Sequence, residues 1–280
     1  EGVSLAAALF FGWRCAFGVF AGQLALALFN EVSLAGALCV ASVNALEVVL
    51  AAQLAHRWRV GSELLRFNDY VKFALLIIVV LQPFSALVSN LLLGMLGQMP
   101  TFEAYWDVVI LWWSANVLAQ LLITPALLTL LRGESLLKDI KPLDALTALM
   151  LPLLTLSVFV IQKSDLSLVI ALLLPMTLLA AYRMQLGVFS ISAAVSAFLA
   201  SLATSYGVGP FVQYAPHSYT HLNVLFFGTF IPAQLICLLF KEVKLEQKHV
   251  LDLSEKRIRF LTYFDALTGL PNRKTTSESC

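Results

Sequence analysis

Long apolar runs separated by short polar breaks make up most of the chain. After a brief run from Val3 to Phe11, apolar stretches cover Cys15 to Phe29, Val32 to Ala55, Val71 to Leu96, Trp106 to Leu131, Leu143 to Ile161, Leu166 to Tyr182, Leu186 to Tyr206 and Leu222 to Phe240. A helix rises 1.5 Å per residue and needs about twenty apolar residues to cross the hydrocarbon core. It also satisfies its own backbone where no water can, which an open strand cannot do. The pattern therefore predicts an all-α fold, a polytopic transmembrane helical bundle. About eight spans are expected, with Val3 to Phe11 as the truncated remnant of an earlier one. Cys15 to Phe29 and Leu166 to Tyr182 are the shortest, and are expected to tilt or to draw on their flanks.

Composition agrees with this reading. Sixty per cent of the residues are hydrophobic and twelve per cent charged, far from the soluble average of about half apolar and a quarter charged. The net charge of +1 says little; the placement of the charges says more. Taking alternate loops, Arg14, then Arg57, Arg59, Arg66 and Lys72, then Arg132, Lys138 and Lys141, then Arg183, fall on one side, as do Lys241, Lys244 and Lys248. Lys163 alone falls on the other, so nine of the ten basic residues before Lys241 share a side with the C-terminus. The positive-inside rule makes that side cytoplasmic. A multi-pass protein of the cytoplasmic membrane is expected, with the lipid bilayer as its first partner and no nucleic acid. The chain opens Glu1-Gly2-Val3-Ser4 without a basic leader or initiator Met, and Lys274 to Cys280 carry no apolar period; it is expected to be cut at both ends. The four cysteines show no C-x-x-C pair, and neither a redox nor a metal role is assigned to them.

Polar residues within spans are costly and tend to face the bundle interior. Asn44 and Glu47 are three apart, and Trp112, Asn116, Gln120 and Thr124 recur every four, so each set shares a helical face. These positions predict a polar pocket in which Glu47, the one carboxylate within a span, meets the amide of Asn116 or Gln120. The competing reading is interhelical glue, with amide bridges worth about 1 kcal/mol each. Gln82 and Asn90 add two amides in the span between. Pro83, Pro125, Pro152, Pro175 and Pro232 interrupt spans, each freeing a carbonyl. His217 and His221 are four apart but have no third ligand nearby in sequence, and no metal site is assigned.

From Lys241 to Tyr263 the character changes to mixed charge. Val243, Val250, Leu253, Phe260 and Phe264 follow a three-four spacing broken only by Glu246 and Arg257, and Leu251, Ile258 and Leu261 form a second stripe. This is the pattern of a two-stranded coiled coil or of an amphipathic helix on a lipid surface. Mixed charges on every face favour the coiled coil and hence a homodimer through this cytoplasmic signalling helix.

Two resemblances follow from particular residues. Asp265-Ala266-Leu267-Thr268-Gly269-Leu270-Pro271-Asn272-Arg273 resembles the opening of the GGDEF domain of diguanylate cyclases. The membrane part resembles the first type of membrane-associated sensor domain, the MASE family, through Asn44-Ala45-Leu46-Glu47, Trp112-Trp113 with Asn116 and Pro125, Pro175 with Arg183, and Gly207-Val208-Gly209-Pro210-Phe211. It departs at Ala115-Asn116, where the family usually shows Gly-Asp. The resemblances imply a sensor over 1–240, a linker helix over 241–263 and the truncated start of a GGDEF domain over 264–280.

What they imply for function is an integral-membrane sensory and anchoring module that regulates a cytoplasmic GGDEF domain in cyclic-di-GMP signalling, the full-length protein being a diguanylate cyclase. Its signal, a small molecule or a protein, is not specified by the residues. The chain itself holds no catalytic residues and no cofactor; GTP and Mg²⁺ are expected for the full-length enzyme. Asp265, Leu267, Thr268, Gly269, Leu270, Pro271, Asn272 and Arg273 form the opening motif, in a structural role. The site candidates are Asn44, Glu47, Trp112, Trp113, Asn116, Gln120 and Arg183. The alternatives are a sensor for a phosphodiesterase with a degenerate GGDEF and an EAL domain, or a transporter or channel. The last would need convergent charged groups at mid-membrane, where Glu47 is the one ionisable group.

Overall fold

The computed structural model describes residues 1–60, 66–98, 104–132, 140–161 and 166–263. The GGDEF-like opening motif, Asp265 to Arg273, lies outside the described residues, as do Glu103, Lys138, Lys163 and Asp165. Among the described residues the chain is helical, with no strand: α1 (Gly2–Phe11), a 3₁₀ turn (Gly12–Cys15), α2 (Ala16–Phe29), α3 (Leu34–Arg57), α4 (Phe67–Leu75), a π-helical turn (Leu76–Leu81), α5 (Gln82–Met95), α6 (Ala104–Leu131), α7 (Pro142–Ile161), α8 (Leu166–Arg183), α9 (Leu186–Ser205) and α10 (Ser218–Tyr263). Eight stretches among them are long and apolar enough to cross a membrane, α4, the π turn and α5 together forming one. The short Val3 to Phe11 run is helical as α1 and runs through the 3₁₀ turn into α2, so the two share the first stretch, Gly2–Phe29. Thr124 Oγ1 donates to the Gly2 carbonyl at 3.1 Å, which sets the head of α1 well inside the length of α6.

The helices end where backbone chemistry lets them. After α2, α3, α5 and α9 a residue in the left-handed region, Glu31, Arg59, Gly97 or Gly207, turns the chain. The next amide then reaches back five residues: Val32 to Ala27 at 3.1 Å, Val60 to Ala55 at 2.9 Å, Gln98 to Leu93 at 3.0 Å and Val208 to Ala203 at 2.9 Å. That bond satisfies a carbonyl the helix leaves orphaned. At the start of α3, Ser33 Oγ accepts from the Gly36 amide at 3.2 Å, an N-cap.

The packing is inverted relative to a soluble protein. Large apolar side chains such as Phe17, Phe29, Leu149 and Phe198 are exposed, while Asn44, Glu47, Gln82, Ser85, Asn90, Gln120, Thr124 and Gln234 are buried. In lipid an exposed Phe loses nothing, whereas an exposed amide has no partner. The unit Glu1–Leu238 is built from α2 on α3, α1 and α5 on α6, α3 on α5, α6 and α7 on α9, and α8 on α7. Small residues on α9, among them Gly187, Ser190, Ala193, Ser196, Ala200 and Ala203, are buried. They let backbones approach closely, which drives helix association where lipid removes the hydrophobic incentive; Ser192 Oγ donates to the Ala148 carbonyl of α7 at 2.7 Å.

Between α9 and α10 the Gly-Val-Gly-Pro-Phe run packs against Phe159 of α7. Gly209 has φ 114°, and a Cβ there would sit 2.9 Å from the Phe159 ring. Phe211 is buried against Phe159, ring centroids 6.0 Å apart. The second unit, Leu239–Cys280, is described as far as Tyr263, where α10 ends. Val243, Val250, Leu251, Leu253, Ile258, Phe260 and Leu261 are exposed along it.

Candidate functional site

Glu47 on α3 is 3% exposed. Its Oε1 accepts from Gln82 Nε2 at 2.7 Å and from Gln120 Nε2 at 2.8 Å. One turn earlier, Asn44 Oδ1 accepts from Ser85 Oγ at 3.0 Å. Three helices thus converge: α3 gives Asn44 and Glu47, α5 gives Gln82 and Ser85, and α6 gives Gln120. The spacing accounts for the arrangement, because residues three apart stack on one helical face. Glu47 Oε2, Gln82 Oε1, Gln120 Oε1 and Asn44 Nδ2 are buried with no hydrogen-bond partner.

Gln82 reaches Glu47 from the end of the π-helical turn. Its amide bonds the carbonyl of Ile77, five residues back, and leaves Ile78 O without the donor an α-helix would supply. The next candidate donor in a π register is residue 83, a proline with no N–H. Trp113 fills the gap: its Nε1 donates to Ile78 O at 3.0 Å. The Trp113 ring in turn stacks on Phe227 of α10, centroids 5.8 Å apart and planes 12° apart. Trp113 therefore supports the site by holding the wide turn that aims Gln82, without touching Glu47 through a hydrogen bond.

A second polar knot lies in the same unit. Gln234 of α10 is fully buried. Its Nε2 donates to Leu121 O at 3.0 Å and to Ser190 Oγ at 2.9 Å, and its Oε1 accepts from the Tyr70 hydroxyl. One side chain joins α4, α6, α9 and α10. Two turns earlier on α6 than Leu121, Ser114 Oγ accepts from Asn223 Nδ2 at 2.9 Å.

The structure brings together Asn44, Glu47 and Gln120 of the residues expected from sequence, and adds Gln82 and Ser85. Asn116 does not reach Glu47: it is half-buried and its Nδ2 has no partner. Trp112 is half-buried and joins none of these bonds. Arg183 lies apart, paired with Asp144 at 2.7 Å between the end of α8 and the start of α7. His217 and His221 make a local turn, with His221 Nδ1 2.9 Å from the His217 carbonyl and its ring stacked on Tyr214. Among the described residues no group of three His, Cys, Asp or Glu could hold a metal ion.

Gln234 and Asn223 were not singled out by the sequence. Their signal was present, since each is an amide inside the apolar run Leu222 to Phe240 and the two lie three helical turns apart on one face. Two grooves open on the lipid-facing surface, one lined by Trp13, Phe17, Ala45 and Leu46 and one by Ile170, Leu174, Phe211 and Val224. Both are almost wholly apolar.

No curated protein and no solved structure matches the chain. The MASE1 family model matches residues 1–240, a stretch that contains the Glu47 cluster, the π-helical turn and the Gln234 knot. The chain belongs to the MASE1 family, the membrane sensor domains of signalling proteins.

Proposed function

We propose that the chain is the membrane sensory and anchoring module of a protein whose cytoplasmic GGDEF domain makes cyclic di-GMP, with the Glu47 cluster as its sensory site. The observation that carries this reading is the buried carboxylate held by amides from two other helices. Its support, Trp113, rests on the helix that continues toward the GGDEF-like motif. A ligand that changed the bonding of Gln82 would bear on the wide turn, then on Trp113 and Phe227. Signal transfer needs such an element with two arrangements that the ligand tells apart. The alternation of basic loops supports a cytoplasmic C-terminus in the inner membrane, and the residues Asp265 to Arg273 support the GGDEF output.

A cyclic-di-GMP reporter in cells carrying the full-length protein tests this. Glu47→Gln is expected to change reporter output about fivefold or more, the usual scale of a coupling between sites. Unchanged output at equal protein level would remove Glu47 from the sensory account.

Dimerisation belongs to the same proposal, because a cyclase joins two GTP molecules held by two GGDEF domains. The exposed Val243, Val250 and Leu253 provide an apolar stripe for a parallel helix pair. Single cysteines placed between Glu242 and Ile258 are expected to capture a disulfide-linked dimer at one or more positions of that stripe. Capture at none of them would refute the coiled coil.

A further inference from the structure

We infer that the groove between α8 and α10 is a binding site for one lipid-soluble quinol, a flat ring with hydroxyl groups and a hydrocarbon tail. Two helix faces make its walls. Leu166, Ile170 and Leu174 recur every four along the start of α8, and Val224, Leu225 and Gly228 line it from the opening turns of α10. Eight residues of helix make the α8 wall about 12 Å long, and the groove holds about 340 Å³, within the range of small-molecule sites. Among the described residues, none that lines it is a Lys, Arg, Asp or Glu. Thr229, its one hydroxyl, donates to the Leu225 carbonyl at 2.9 Å. A phosphate head would find no countercharge on these residues, whereas a hydrocarbon tail meets apolar side chains along both walls.

Gly228 keeps the inner part of the groove open. Glycine weakens a helix interior, and a packing neighbour that needed the room would explain it. Here there is none, since a Cβ built on Gly228 meets nothing within 4 Å. What the missing side chain leaves is the groove itself.

The mouth, by contrast, is aromatic, and its rings are pinned. Phe211 is buried against Phe159. The His221 ring stacks on Tyr214, centroids 4.8 Å apart and planes 19° apart, and its Nδ1 lies 2.9 Å from the His217 carbonyl. A carbonyl only accepts, so Nδ1 carries the proton, and Nε2 of the neutral ring is left as an acceptor. Among the lining side chains, Nε2 is the one polar atom without a partner in the protein. Rings held in place at an opening suit a flat ring, which a bare alkyl chain does not need. A hydroxyl on that ring donates to Nε2. The oxidised quinone presents only carbonyl oxygens and cannot donate, so the site prefers the reduced form by one hydrogen bond. Occupancy then follows how reduced the membrane is. The inference goes beyond the sensory reading of Glu47 and shares no residue with that cluster, so either can fail alone.

The test is equilibrium binding, without oxygen, to the purified full-length protein in phosphatidylcholine nanodiscs, with a decyl-substituted benzoquinol, its quinone and decanol as probes. Saturable binding of the quinol is expected, about tenfold tighter than that of the quinone, which is the value of one hydrogen bond. Decanol is expected to show no saturable binding. Gly228→Leu fills the groove at a place where an added Cβ meets no neighbour, and is expected to abolish quinol binding. Should Gly228→Leu fail to fold, Leu174→Trp blocks the groove from the α8 wall with the same expected result. His221→Phe keeps a ring against Tyr214 but removes Nε2, and is expected to weaken quinol binding to the level of the quinone while leaving the quinone as in wild type. Equal affinity of the wild type for quinol and quinone, or quinol binding that survives the groove-filling variant, overturns the site. So does decanol binding as tight as the quinol, since a chain alone would then suffice. Absence of quinol binding over phosphatidylcholine overturns it as well, leaving ordinary lipid as the occupant.

Discussion

Gln234→Leu is expected to lower the stability of the helical bundle by about 3 kcal/mol, with the chain still inserted. The substitution puts an apolar side chain of similar size in place of the amide and removes three bonds at once. Tyr70 hydroxyl, Ser190 hydroxyl and Leu121 carbonyl would each lose the partner that Gln234 provides. Tyr70, Ser190 and Gln234 are all fully buried, so water cannot replace what is lost, and each orphan costs about 1 kcal/mol. Unfolding in a graded series of denaturing detergent would read the change. Adding Tyr70→Phe is expected to recover about 1 kcal/mol, because it removes one of the stranded groups. A Gln234→Leu protein within about 0.5 kcal/mol of wild type would show that the knot is not a stabilising one.

The second large effect is expected at Trp113. Trp113→Leu removes both the indole donor to Ile78 O and the stack on Phe227, and is expected to cost about 3 kcal/mol through cavity and orphaned carbonyl together. Trp113→Phe keeps most of the ring against Phe227 and loses the bond, so about 1 kcal/mol is expected. Pro83→Ala offers an internal check, since it adds an N–H at the position from which a π register would serve Ile78 O. In the Trp113→Phe background it is expected to restore part of the loss. If Trp113→Phe and Trp113→Leu were equally costly, the stack would carry nothing; if Pro83→Ala gave no recovery, the stranded carbonyl would not be the cause.

Length and hydropathy alone made the spans legible, because a helix that must cross lipid cannot hide its apolar run. The pairing of Glu47 with Gln120 was legible too, from one carboxylate and a row of polar residues at a spacing of four. The same row misled at its other end. An α-helix advances 100° per residue, so positions four apart drift by about 40° at each step. Gln120 and Thr124 therefore point inward while Asn116 and Trp112, two and three steps from Thr124, have swung toward the edge and are half-buried. Gln82 was visible as a polar residue, but its aim depends on a π-helical turn. Pro83 predicted a freed carbonyl, yet not that Ile78 would be the one freed or that Trp113 would serve it. Gln234 shares its face with one other amide, Asn223, three turns away, and that spacing does not say which helices the face meets. Four-helix convergence on one amide is a tertiary fact, and single-helix spacing carries no trace of it.

The π-helical turn has one more consequence, for how this span can change in length. A wide turn accommodates one residue more than the α-helix around it, so it acts as an insertion already absorbed by the fold. Tyr70 on one side faces Gln234, and Gln82 on the other faces Glu47. In a regular helix, losing a residue between them would rotate one face away from its partner by about 100°. Here a deletion within Leu76–Leu81 would instead convert the wide turn to an ordinary one and leave both faces aimed as before. Among chains of this kind, single-residue gaps in this span are therefore expected to fall inside those six positions, while the lengths on either side stay fixed.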